Sequence, residues 1–243
     1  MRRLMVEFGE GLSWTYVMGG LARDYGQEQE AGHGGAKGVY PGLVSHWLDI
    51  ADQSGMPFDP RLWTEGPLSS SYPACMAVKA ATEQGDPYRY LRSLREGLFC
   101  FRRKLDGVEP LVEEARRVGL DVERFRIDLG SNAIVEAFGA DLELFRGARL
   151  PLPSLVFGSS EPVAGFSDYG SLEEAARSAG AAPGGSRPSV LEALRLFGRM
   201  ATREVEEVCG LRGPRASAEL WKLAEDWQVR PLRVLTGDLW ELA

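Results

Sequence analysis

MRRLMVEFGEGLSWTYVMGG, residues 1–20, is the stretch that orders the rest of the chain. Leu4, Met5 and Phe8 recur at the spacing of one helical face, and Gly9 and Gly11 follow where a helix stops. Residues 14–18, WTYVM, are aromatic and β-branched, which predicts a strand. Gly19 and Gly20 then turn the chain. The opening is helix, strand, glycine turn, and it predicts an α/β fold.

Working outward, residues 19–39 change to Gly, Gln, Glu and Ala. That is a long loop with little apolar material to bury. Residues 41–52 carry Leu43, Val44, Trp47, Leu48 and Ile50 on or near one face and predict a helix. From about 71 to 147 the pattern is helical throughout. Ser71-Tyr72-Pro73 opens a helix through Thr82. Asp86-Pro87 is a cap with proline at the first helical position, ahead of a long helix to about Lys104. Shorter helices are expected over 108–118 and 121–129, and another from Ser131 to Phe145. The pattern then switches. Residues 152–157 form a short apolar strand, 163–166 its antiparallel partner across Gly158-Ser159-Ser160. Ser171 and Glu174 form a capping box, satisfying orphan amides reciprocally, for a helix that ends at Gly180.

AAPGGSRP, residues 181–188, has the composition of a linker. Helices are expected beyond it over 189–200, 202–209 and 215–227. A hairpin about Thr236-Gly237 joins 229–235 to 238–242. Three helices and a two-stranded ribbon describe a winged-helix-like unit. It invites a DNA-binding reading, but residues 189–243 hold eight Lys/Arg against nine Asp/Glu. A net charge of −1 offers little attraction to phosphate. Packing on the main domain, or docking a protein, is the better expectation.

Composition narrows the rest. The 243 residues are 44% hydrophobic and 26% charged, enough for one large domain or two modest ones. A net charge of −7 disfavours non-specific nucleic-acid binding. No apolar run approaches the roughly 20 residues that span a bilayer, and Glu7 and Glu10 interrupt any signal-peptide core. A cytoplasmic location is expected, without a membrane partner. Cys75, Cys100 and Cys209 are odd in number and widely spaced, neither a disulfide framework nor a zinc set. His33 and His46 are too few and too far apart for a metal site. No metal and no cofactor are expected.

Several stretches together resemble a known family. YVMGGLARD (16–24), SSYPACMAVKAA (70–81), YRYLRSLREGLFC (88–100) and LPSLVFG (152–158) are similar to DsbA-family proteins. The nearer likeness is to the cytoplasmic branch, which holds polyketide-associated dithiol-disulfide isomerases and SpxH-type protease adaptors. Residues 200–242 resemble the helical extension of some of those members. The resemblance implies a thioredoxin-like α/β fold, N-terminally incomplete, over 1–180. A helical insertion spans about 56–147, and a winged-helix-like extension covers 188–243. Family enzymes carry C-x-x-C at the start of the first helix, and nothing here matches it. The motif would fall just ahead of Met1. A late start of the reading frame is favoured over true loss, because a sheet without its first strand exposes an unpaired edge.

The resemblance also implies a cis bond before Pro153, with Leu152 and Pro153 presenting backbone to a peptide. The alternative is an ordinary strand-leading proline. Cys75, in the first turn of its helix, is a candidate lone nucleophile or resolving thiol. Its plainer reading is a small apolar residue beside Ala74 and Val78. Trp47, Trp63, Tyr72, Tyr88 and Tyr90 line a groove on one reading and fill the core on the other. Gly19-Gly20 lacks both the G-x-G-x-x-G and the P-loop pattern, so it is no phosphate cradle. Two functions stand side by side. One is a thiol-disulfide oxidoreductase or isomerase acting on protein or peptide thiols, inactive without its C-x-x-C. The other is a non-catalytic adaptor holding a protein client. A glutathione-linked isomerase like the kappa-class transferases is a third, also needing a residue ahead of Met1.

Overall fold

The computed structural model describes residues 1–26 and 39–243, with the side chains of 39–41 outside the description. Much of the expected loop over 19–39, and His33, therefore lie outside the described residues. In chain order the elements begin with α1 (Arg2–Phe8), a 3-10 turn (Gly9–Gly11), α2 (Val39–Ser54) and α3 (Leu62–Glu65). Then come α4 (Tyr72–Thr82), α5 (Tyr88–Phe99), α6 (Val108–Arg117), α7 (Val122–Leu129) and α8 (Asn132–Ala148). β1 (Ser154–Leu155), β2 (Val163–Ala164), α9 (Tyr169–Ser178) and α10 (Val190–Phe197) follow. β3 (Met200–Ala201), α11 (Thr202–Cys209), α12 (Pro214–Glu225), β4 (Val229–Val234) and β5 (Gly237–Leu242) complete the order.

Two compact units result. The first holds Met1–Tyr16, Arg149–Arg233 and Gly237–Ala243; the second holds Val17–Ala148 with Val234–Thr236. In the first unit a buried arginine helps join the opening helix to the C-terminal segment. Arg2 donates from Nη1 to the Arg199 carbonyl at 2.8 Å and to Glu204 at 3.2 Å, and from Nη2 to the Phe197 carbonyl at 3.0 Å. Phe197 is the last residue of α10, so the guanidinium sits where a helix dipole favours a cation. Two apolar clusters fill this unit. Leu4, Phe8, Phe157 and Ala176 make one. Val190, Leu194, Met200, Val205, Val208, Leu220, Val229 and Trp240 make the other. Between them, Arg3 lies 3.4 Å over the Tyr169 ring and pairs with Glu7 at 2.9 Å.

The C-terminal segment has the expected three helices and hairpin, plus a third strand. Residues 189–200 do not form one helix: α10 stops at Phe197, Gly198 takes φ +68°, and Met200–Ala201 becomes β3. The sheet runs β3-β5-β4, with Met200 opposite Trp240 and Ala201 opposite Leu239. Both β3 residues are fully buried, so an apolar pair that extends a helical pattern is better spent closing the sheet. A Ser189–Glu192 capping box starts α10.

In the second unit, α4 sits among α5 to α8. Tyr90, Leu94, Leu111, Phe125 and Ile134 are buried there. Trp47, Phe58, Leu62, Trp63 and Leu68 form a separate cluster, with Trp47 edge-on to Trp63 at 5.4 Å and to Phe99 at 4.9 Å. These aromatics therefore fill the core rather than line a groove, and Tyr72 packs edge-on against Phe138 at 5.0 Å.

Four local expectations are corrected. Residues 14–18 enter no ladder among the described residues. Their composition suits a strand, yet a strand is made by pairing, and the Met18 N–H goes instead to the Asp141 carboxylate at 2.8 Å. The 152–157 strand shortens to Ser154–Leu155, because Pro153 has no N–H to give. The α5 helix ends at Phe99 instead of Lys104: Arg102 takes φ +52° and the Arg103 N–H returns to the Gly97 carbonyl at 2.8 Å. Ser171 and Glu174 are not a capping box. Asp168 caps α9, accepting from the Ser171 N–H at 3.0 Å.

Candidate functional site

Leu152 and Pro153 lead into the β1–β2 hairpin of the first unit. The Leu152–Pro153 peptide bond is cis, and the Pro153 carbonyl accepts from the Gly165 N–H at 2.8 Å. Ser154 lies opposite Ala164 and Leu155 opposite Val163. Side chains alternate between faces along the ladder, so Leu155 and Val163 share one face and Ser154 and Ala164 the other. Leu155, Phe157 and Val163 pack into the cluster with Leu4 and Phe8. Outward at the same hairpin, Leu152 is 42% exposed, Val156 57% and Phe166 74%. Large apolar side chains left exposed together at one hairpin make a contact surface rather than a solvated one. Leu152 and Pro153 were singled out from sequence. Val156 and Phe166 were not, although 152–157 is apolar at both parities, the sign of a strand meant to be covered on both faces.

Cys75 lies in the second unit, on the first turn of α4. Ser71, preceding that helix, gives its side chain elsewhere: Oγ accepts from the Ala22 N–H at 2.9 Å and donates to the Ala22 carbonyl at 3.0 Å. The Cys75 thiol is pushed up to about 11, first by burial. The nearby Asp141 carboxylate raises it further, against a hydrogen bond from the Gly20 N–H that favours the thiolate. Asp141 is engaged by Lys79 at 3.1 Å and by the Met18 N–H at 2.8 Å. Gly20 has φ +59°, and a Cβ there would lie 2.9 Å from the Tyr72 ring and 3.1 Å from Phe138. Only glycine fits this backbone approach. Cys75 is thus a packed thiol in a carboxylate-bearing environment, the reverse of one poised to attack.

The other two thiols are similar. Cys100 is buried and donates to the Pro57 carbonyl at 3.3 Å. Burial, with Glu192 next, pushes Cys209 up to about 11. All three are free. Among the described residues no group of three or more His, Cys, Asp and Glu is placed to hold a metal ion, and no helix is long and apolar enough to cross a membrane.

The class this architecture defines is an α/β protein with a proline-led hairpin and a helical insertion. The family model described as thioredoxin matches residues 1–167. The chain belongs to the thioredoxin family, and its fold is thioredoxin-like with a C-terminal winged-helix-like extension. Among curated proteins, it is 31% identical over 212 residues to the ClpXP adapter protein SpxH of Bacillus subtilis, covering 82% of this chain and 71% of that one. The SpxH of Halalkalibacterium halodurans is 31% identical over 166 residues, 65% of this chain and 52% of that protein. The SpxH of Shouchella clausii is 29% identical over 256 residues, 99% and 81% of the two chains. The chain thus spans about half the length of the Halalkalibacterium relative and more of the others. The likeness to the adaptor branch holds.

Proposed function

We propose that this chain is a protein-docking adaptor on a thioredoxin scaffold, which holds its client against the outward β1–β2 face. The observation that carries the reading is that face: Leu152, Val156 and Phe166, exposed beside the proline-led turn. An apolar surface of this kind suits a protein segment with apolar side chains at alternate positions. The state of the thiols supports the same reading. Dithiol exchange needs one low-pKa thiolate and a resolving partner, whereas Cys100 is buried and the thiols of Cys75 and Cys209 are raised. The relatives named as ClpXP adapters suggest the destination, an ATP-dependent protease of that type. Free thiols suit the reducing cytosol, and the acidic surface argues against a nucleic-acid partner.

The test is proteome half-life. Strains lacking the chain, lacking the ClpXP protease, or carrying Leu152→Asp with Phe166→Asp are compared by pulse labelling. The reading expects at least one protein stabilised in all three. A proteome with no half-life that depends on both the chain and the protease refutes it. Family membership keeps oxidoreductase chemistry as the second reading. It predicts insulin reduction by the purified chain, and we expect none.

A further inference from the structure

We propose that α12 is a self-complementary surface through which two copies of this chain associate, antiparallel, about a twofold axis. After Pro214 at its start, the exposed residues of this helix are Arg215, Ala218, Trp221, Lys222 and Glu225, at the spacing of one face. The stripe begins on Arg215, is small and apolar at Ala218 and Trp221, and ends on Glu225 after Lys222. Arg212 extends the basic end, and Asp226 and Trp227 the acidic one. Among the described residues none of Arg212, Arg215, Lys222, Glu225 and Asp226 makes an ion pair. The acids of the neighbouring elements mostly do: Glu206 and Glu207 with Arg203, Glu241 with Arg199 and Arg230, Asp238 with Arg233.

Arg215 and Glu225 are also placed against the helix dipole, whereas Lys222, in the last turn, lies with it. The first turn of α12 has no acidic residue and carries Arg215, and its last residue is Glu225. Each charge lies at the helix end of its own sign. An antiparallel neighbour of the same sequence reverses both conflicts. Centring the pair between Glu219 and Leu220 sets Ala218 of each copy against Trp221 of the other. Arg215 then lies within side-chain reach of Glu225 of the other copy. The small Ala218 admits the indole. Trp221 is held edge-on against Trp240 at 5.0 Å and 86° yet remains 48% exposed, a fixed aromatic anchor of the kind found at interface hot spots.

Trp227 supports the surface independently. The Gln228 N–H bonds the Leu223 carbonyl at 3.0 Å and the Trp227 N–H the Ala224 carbonyl at 3.1 Å. That is a Schellman end, whose left-handed position favours glycine. Tryptophan occupies it at φ +56° and is 86% exposed. In the antiparallel pair its ring faces the start of the other copy's α12, where Arg212 gives it a cation to stack on.

Sedimentation velocity of the full chain across a concentration series, at low and high salt, tests the pairing. The expected result is a monomer–dimer equilibrium weakened by salt. Arg215→Glu and Glu225→Arg each raise the dimer Kd by at least about tenfold. Combining the two in one chain restores it, with unchanged thermal melts in all three. A wild-type chain that stays monomeric, or a dimer that neither single variant weakens, overturns the proposal. So does a double variant that fails to recover.

Discussion

In a variant carrying Cys100→Ala and Cys209→Ala, Cys75 is the remaining sulfhydryl, and its alkylation by iodoacetamide is expected to be slow. The attacking species is the thiolate. With the group raised from an ordinary 9.0 to about 11, the ionised fraction at pH 7 falls from about 10⁻² to about 10⁻⁴. The folded protein should therefore react about 100-fold more slowly than the same chain in urea. Mass spectrometry of quenched samples from pH 7 to 11 gives the full profile. The logarithm of the rate should climb one decade per pH unit to about pH 10 without a plateau. The same shift makes stability fall in alkali. The unfolded thiol ionises near 9 and the folded one near 11, so between those values the folded state holds the extra proton. This contribution is complete below pH 9 and is lost, by about 1.4 kcal/mol per pH unit, as pH rises to 11. A labelling plateau with an apparent pKa below 8 would refute the packed-thiol reading and return Cys75 to the nucleophiles.

Other substitutions probe the scaffold. Gly20→Ala combines a left-handed backbone with contacts near 3 Å to Tyr72, Leu142 and Phe138, and should cost about 2–4 kcal/mol in urea unfolding. Arg2→Ala leaves the Phe197 and Arg199 carbonyls without their donor and should cost about 2–4 kcal/mol. Arg2→Lys should recover little, since an ammonium lacks the fork that spans both carbonyls. Asp168→Ala removes the cap of α9, an expected loss of about 1 kcal/mol by calorimetry.

Helices whose ends carry specific chemistry were legible in the sequence. Gly9 after Phe8, Pro73 opening α4, and Asp86-Pro87 ahead of α5 each fix a boundary by removing or supplying a backbone partner. The strands were harder, because pairing depends on what lies beside them. Residues 14–18 alternate like a strand, with Trp14 and Tyr16 half-buried and Thr15 and Val17 exposed, yet they join no sheet ladder among the described residues. Met200-Ala201 looked like helix because two apolar residues carry no period of their own. At the candidate site, Leu152 and Pro153 were found through a family resemblance. Phe166 needed the structure, since it lies just past β2 and only the fold shows that it stays exposed at the same hairpin. The sequence offered Cys75 both as a packing residue and as a nucleophile, and the carboxylate beside it comes from Asp141, 66 positions away.

The clamp that ties Arg2 to residues 197–204 has a consequence for biosynthesis. A unit that packs α1 against residues 197–204 stays open until the ribosome has added them. The intervening 17–148 helices emerge earlier and can collapse while the rest is being translated. During that interval α1 waits without the carbonyls it is built to grip, with Leu4 and Phe8 bare. A nascent-chain chaperone would find a target there, on the apolar face of α1.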